Sequence, residues 1–569
     1  AASTINGGDE ADFSSLLTHE TNGLVSVTDE NLTVGSGTDQ SISVANAILL
    51  AATTSGTVTS AIDTTESVDS LKTLFDAGET HAYTITITSN AADTQLSTAA
   101  EFNAIDSATS VAIDASSVTA LASSNISDIK TLLTAGNDTD QFTATSFSSL
   151  ATVAVADSTL DVSDLNDSIA QANTATGGTS TTFTISSGGT INGGTAAEFT
   201  TLLGYESGSQ ISISNQNLTV DSGTMTVANA VAFSATTSGT VTGEITSGTT
   251  ISAMLDSSSG LKDTGTTATQ ALTITVASGD AETTAANLTS LYGKTTVAVD
   301  ASAVTQITGS VDAANIVYAA GASEITGLGN ETVVTTDSSL SDVTTLNTLD
   351  GNTTGTVNAA SVNSITGTLA KLLTAYGSNG ITGLGNETIS VSDTGGGSSL
   401  AASDLNSLDS KTSGTITTAT GLVTLTGTVA ALNTAYGSEG LTIEGDEAIT
   451  ISDTTVDAEA LNNLNNYTSG VINADTLTKL TGTLADVNVA FAADAASSAT
   501  ISGLGDQDVE LTDTNVLAAD MNTLNTYTSG TVDASTVAVM EGTVSALNSA
   551  YDTAGINGLG NEAVTITDT

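Results

Sequence analysis

The sequence predicts an α/β solenoid, built from strand–helix coils of about 28 residues stacked on a parallel sheet. Three observations predict it. One phrase returns at near-constant spacing through the C-terminal half. Within each repeat, β-branched runs alternate with short amphipathic stretches. Those stretches would form helical crossovers, and crossovers make successive strands parallel. An all-β solenoid (a parallel β-helix in which the amphipathic stretches are loops) is the alternative.

The repeated phrase is Ile325-Thr-Gly-Leu-Gly-Asn-Glu331. It returns as Ile381-Thr-Gly-Leu-Gly-Asn-Glu387, Ile501-Ser-Gly-Leu-Gly-Asp-Gln507 and Ile556-Asn-Gly-Leu-Gly-Asn-Glu562. A degenerate copy, Leu441-Thr-Ile-Glu-Gly-Asp-Glu447, fills the gap, so the period is about 55–60 residues. Inside one repeat, residues 331–337 carry the β-branched enrichment of a strand. A helix follows from Ser341 to Leu349, capped by Ser341 or Asp342, with Val343, Leu346 and Leu349 on one face and Gly351 at its end. Thr354 to Ala359 reads as a second strand. Gly367 to Tyr376 reads as a second helix, with Thr368 as cap and Gly377 closing it.

The N-terminal half keeps the same cadence more loosely. Tyr83 to Thr88 and Val111 to Asp114 read as strands, and Asp12 to Leu17 and Ser127 to Leu133 as helices. Thr4-Ile-Asn-Gly-Gly8 recurs as Thr190-Ile-Asn-Gly-Gly194, and Thr53-Thr-Ser-Gly-Thr-Val58 as Thr236-Thr-Ser-Gly-Thr-Val241, which marks a duplication. The chain therefore divides into an irregular block over 1–186, its second copy over 187–324, and tandem repeats over 325–569, as one continuous rod. About twenty coils at roughly 4.8 Å each would make that rod about 100 Å long. Residues 562–569 complete a strand without the helix that follows it in earlier repeats, so a longer parent chain or end-to-end stacking is expected.

Composition excludes several functions. Acidic residues number 62 against 7 basic ones, all of them lysine, for a net charge of -55; cysteine, proline and tryptophan are absent. Such a surface repels nucleic acid and anionic lipid. Without arginine, phosphate and carboxylate ligands lose their usual clamp. Disorder is not implied, because 39% of residues are hydrophobic and only 12% charged. No apolar run is long enough to insert into a membrane.

The recurring polar residues read as architecture. Asn347, Asn406, Asn462, Asn522 and Asn166 share one slot, where a buried amide would satisfy turn groups and bond to its own copy in the next unit. Tyr376, Tyr436 and Tyr551, with Phe491 in the corresponding place, read as packing at the edge of the core. His19 and His81 lie in no motif, no serine stands out as a nucleophile, and no catalytic or cofactor-binding residue is assigned. The acidic series is different. Glu331, Asp337, Glu387, Asp393, Glu447, Asp453, Asp513, Glu562 and Asp568 would stack into like-charged rows, with Gln507 interrupting them. Rows of carboxylates suit Ca²⁺, so these nine are the candidate metal ligands. The alternative is that they cap turns and helix N-termini and need no metal.

The phrase G-[IL]-x-G-L-G-N-E-x-[VI]-x-[VI]-x-D-T, followed by D-L-N-x-L and T-S-G-T-V-x-A, resembles the repeats of very large Ala/Thr/Ser/Asp-rich surface proteins of marine bacteria, cyanobacteria in particular. A weaker likeness is to the RTX calcium nonapeptide, although the tandem nine-residue copies are missing. The resemblance implies a location outside the cell. The expected function is structural: a segment of a fibre, surface layer or stalk, without catalysis, whose partners are copies of itself, end to end or lateral. An adhesin module holding a cell-surface glycan is the alternative.

Overall fold

Short parallel strands alternate with short helices throughout the computed structural model, which describes residues 3–35, 40–74, 81–88, 97–178, 181–266, 268–393, 399–418, 420–422 and 424–568. Nineteen α-helices lie among the described residues. The chain forms two compact units. The first comprises Ala1–Asp280, Asn287–Ala303 and Ala322–Gly327. The second comprises Ala281–Ala286, Val304–Gly321 and Leu328–Thr569.

In the second unit the strands gather into sheets of five. One takes Ser339–Leu340, Ser364–Gly367, Thr388–Val391, Ile416–Thr418 and Leu441–Thr442, in that order and all parallel. The next takes Ser399–Ala401, Thr424–Gly427, Ala448–Ile451, Ile472–Asn473 and Ile501–Ser502. Each five-stranded sheet contains the same five kinds of strand in the same order, and a sheet of three, Asn515–Leu517, Val539–Gly542 and Ala563–Ile566, holds the first three kinds. Two strands separate one helix from the next, then three, in alternation. That extra strand moves every repeat onto a new sheet.

This corrects two expectations. Each coil carries two or three strands, not one, because a four-residue strand such as Ser364–Gly367 precedes the helix. Gly367 ends that strand; the helix begins at Leu369. Nor do equivalent residues of successive repeats stack. Thr388 pairs with Ser364, while its counterpart Thr332 pairs with Gln306, in a different sheet. The acidic series therefore forms no continuous ladder along one sheet.

Alternation builds the core. In the strand Ser364–Gly367, Ile365 points inward and Thr366 outward, and Ile389 lies directly beside Ile365 in the next strand. The helix Leu369–Gly377 closes the coil by burying Leu372 and Ala375. The resulting cluster runs without a break from Val311 to Ile556. Each buried Leu or Ile contributes about 1.5–3 kcal/mol relative to leaving it in water.

The first unit uses the same parts with larger residues. Phe102, Phe142, Phe147, Phe199 and Phe233 are fully buried there. Its most irregular stretch follows the helix Ile126–Gly136, where Phe147 turns inward at a positive φ of 57° and meets Phe102 edge-on at 6.0 Å. A Cβ on Gly136 would sit 2.7 Å from that ring, so glycine is needed at the contact. No helix among the described residues is long and apolar enough to cross a membrane.

Candidate functional site

The chemistry-bearing residues that recur all converge on one place, the junction between a coil and its successor. A helix begins with backbone N–H groups that have no partner inside the helix. Here the partner comes from the next coil. The N–H of Leu369 donates to Asp393 at 2.7 Å, that of Val429 to Asp453 at 2.7 Å, and that of Leu484 to Asp513 at 2.5 Å. Val311 does the same with Asp337 at 2.7 Å, and Val544 with Asp568 at 2.6 Å. A carboxylate at a helix N-terminus also meets the positive end of the helix dipole. Thr368 occupies the expected cap position without forming a side-chain bond, so Asp393 does the capping in that coil.

The glutamates lie on the opposite side of the junction. Glu331 and Glu387 are fully buried, and Glu447 nearly so. Each folds back on its own loop: Glu387 accepts the N–H of Gly385 at 2.8 Å and of Asn386 at 3.2 Å. Each also accepts a tyrosine hydroxyl from the preceding helix end, Tyr318 at 2.9 Å, Tyr376 at 2.5 Å and Tyr436 at 3.0 Å. Tyr551 and Glu562 form the same bond. Burial, together with the carboxylate that holds the proton, pushes all four phenols above the ordinary tyrosine range, Tyr551 to about 12. Burial works to raise Glu562, but the Tyr551 hydroxyl and the loop N–H groups outweigh it and hold that carboxyl below its usual value.

One repeat departs from this pattern at both positions at once. Phe491 stands in the tyrosine slot and Gln507 in the glutamate slot. Gln507 keeps the acceptor role, taking the N–H of Gly505 at 2.6 Å and of Asp506 at 3.2 Å. Its amide supplies donors of its own, to the carbonyls of Leu477 at 3.1 Å and Gly503 at 2.8 Å. A buried carboxylate needs donors around it. Where the tyrosine hydroxyl is missing, an amide takes over.

The Thr-Ser-Gly phrase completes the junction. Thr353, Thr468 and Thr528 donate to the backbone carbonyls of Glu331, Glu447 and Gln507 in the previous coil, at 2.8, 3.0 and 2.7 Å. The following glycine lets the two backbones touch: a Cβ on Gly355 would lie 2.2 Å from the Glu331 carbonyl, and one on Gly470 2.1 Å from that of Glu447.

The asparagines do not bond to their own copies. Asn347, Asn406, Asn462 and Asn522 each donate to a carbonyl in the first turn of the next helix, those of Lys371, Ala431, Asp486 and Ala546, at 2.8–3.0 Å. Asn166 reaches the Glu198 carbonyl at 2.9 Å. That carbonyl is the useful target, because it lies one coil away on the adjacent helix. Tyr376 and Tyr436 are half-buried beside the core, and Tyr436 stacks on Tyr467 with centroids 5.6 Å apart.

All nine candidate metal ligands thus have backbone or tyrosine donors as partners. Among the described residues no group of three or more histidine or acidic side chains is placed to hold a metal ion. His81 is buried, and its Nδ1 accepts the Val58 N–H at 3.1 Å. No protein-family model and no curated protein sequence matches this chain. Sequence reasoning missed the junction role of Thr353, Thr468 and Thr528. Their invariable Thr-x-Gly spacing was the available signal.

Proposed function

We propose that this chain is a structural solenoid, a segment of an extracellular fibre, surface layer or stalk, and that it performs no catalysis. One observation carries the reading: the polar residues that recur from repeat to repeat serve bonds inside the solenoid, between consecutive coils for the aspartates, asparagines and threonines and between a helix end and the following loop for the tyrosine–glutamate pairs. A repeated binding protein would instead keep a recurring polar side chain turned to solvent on each coil. The strongly acidic composition and the resemblance to large surface proteins favour a place outside the cell. Copies of the chain are the partners this reading calls for.

Electron microscopy of the purified chain tests it. Elongated particles are expected, shortening by a constant step when one 60-residue repeat such as 388–447 is excised. Compact particles whose outline does not change on excision would overturn it. Chelation tests the role of the acids. With the carboxylates bonded within the junctions, melting with EDTA at fixed ionic strength leaves the melting temperature unchanged. A fall in that temperature, with calcium found by elemental analysis, would show that the acids hold metal as well.

A further inference from the structure

The repeat breaks down most clearly around the helix Ile126–Gly136 of the first unit, and a groove of about 540 Å³ opens there. It is lined by Asp106, Ser127, Lys130, Thr131, Thr134 and Gln141. Three departures from the pattern coincide. The asparagine slot is taken by Lys130, whose ammonium is held between Asp164 at 2.6 Å and Asp167 at 2.8 Å. The coil that follows is irregular and anchored by Phe142 and Phe147. Asp106, at the end of the helix Ala99–Ser107, points a half-buried carboxyl toward the groove and accepts no hydrogen bond from the described residues. Elsewhere in this chain, recurring carboxylates at coil junctions are bonded. This one is not part of a junction.

We propose that this groove binds a neutral sugar residue, with Asp106 accepting a pair of its hydroxyls. The lining argues by elimination. Its surface mixes apolar area with polar groups, and a wholly apolar ligand would cover the Asp106 carboxylate without giving it a partner. It offers nothing to an anion, because Lys130 is already neutralised by two aspartates and the chain is strongly negative. What remains is a carboxylate acceptor, the hydroxyls of Ser127 and Thr134, that of Thr131 as an acceptor (its proton goes to the Ser127 carbonyl at 2.9 Å), and a side-chain amide that donates and accepts, which matches the mixed donors and acceptors of a saccharide. The volume lies within the range of small-molecule sites and admits one or two sugar rings. The groove is open along one side, so a residue within a longer glycan can enter it.

Burial, with the Asp138 charge adding to it, pushes the Asp106 carboxyl up to about 6. The charged groups around it are Asp138, Lys130 and Asp164. The ionised form accepts the two hydroxyls more strongly, one on each oxygen, so binding tightens as the pH rises through that value.

Ligand-observed NMR with the full chain tests this, using methyl glucoside, methyl mannoside, methyl galactoside and N-acetylglucosamine, and glucuronate as the acidic comparison. At least one neutral sugar is expected to bind at about 10 mM or tighter. Asp106→Asn should weaken it at least tenfold and abolish its pH dependence. Gln141→Ala, at an exposed position, should weaken it several-fold with an unchanged melting temperature. The proposal is overturned if none of the neutral sugars binds, if glucuronate binds better than they do, or if Asp106→Asn and Gln141→Ala both leave binding unaltered.

Discussion

The junction at Glu387 and the junction at Gln507 solve one problem in two ways. Both must satisfy the N–H groups of a tight Gly-Leu-Gly loop from inside a nearly dry core. The first uses an acceptor-only carboxylate and imports a donor, Tyr376, from the neighbouring helix. The second uses an amide with its own donors, so its neighbour can be the hydrocarbon Phe491. The difference teaches that the slot requires an acceptor, and that the identity of the acceptor dictates the aromatic residue opposite.

Four experiments bear on this comparison. The largest effect is expected where the two junctions are alike. Gly414→Ala or Gly530→Ala drives a Cβ to within 2.0 or 2.4 Å of a backbone carbonyl oxygen, so each should cost about 3 kcal/mol or more in chemical denaturation, whichever acceptor is present. If only Gly414→Ala were damaging, the two junctions would not share a backbone. Next come the mixed pairs. Tyr376→Phe alone should cost about 1–3 kcal/mol by leaving a buried carboxylate short of a donor, and adding Glu387→Gln should recover much of it. Gln507→Glu should be destabilising beside Phe491, because the new carboxylate would face the carbonyls of Leu477 and Gly503, and Phe491→Tyr should relieve part of the loss. Additive double variants would show that the residues do not act as pairs.

The third experiment is alkaline titration. A phenol whose folded value lies above its ordinary 10.0 contributes stability that is complete below that value and lost as pH rises through the folded one. Stability should therefore decline from about pH 10 toward 12 for Tyr551, with the more buried phenols continuing beyond, and converting Tyr436 and Glu447 to Phe and Gln should flatten the slope. The smallest effect concerns the helix face. Leu373 already occupies the asparagine slot of one helix, and Asn406 Oδ1 is buried without a partner. Asn406→Leu should thus change stability by about 1 kcal/mol or less, and less than Asn406→Ala, as read from thermal melts.

How much of this was legible in the sequence depended on range. The helices around Val343–Leu349 and Leu369–Tyr376 declare themselves through local spacing, and the structure places them within three residues of their expected limits, the first running through Gly351 to Asn352. The strand Ser364–Gly367 escaped because four residues of mixed polarity leave too short an alternation to read, and its glycine resembled a helix boundary. The partnership of Asp393 with Leu369 spans 24 residues and could not be read locally. The Tyr–Glu pairing was closer to view, since Phe491 and Gln507 depart together within one repeat. Seeing it required asking what a buried carboxylate leans on. The groove beside Asp106 left no sequence signal, because it arises where repetition lapses.

The backward reach of Asp393, Asp453 and Asp513 has a consequence for how the chain is made. Each helix start is completed by a residue that leaves the ribosome 24–29 positions later. At about 5–20 residues per second, a newly emerged coil waits roughly one to six seconds for its cap. During that interval its first turn frays, and settling proceeds as a wave trailing synthesis by one coil. Slow codons placed one coil downstream of a helix would prolong that exposure, whereas the same codons within the helix would not.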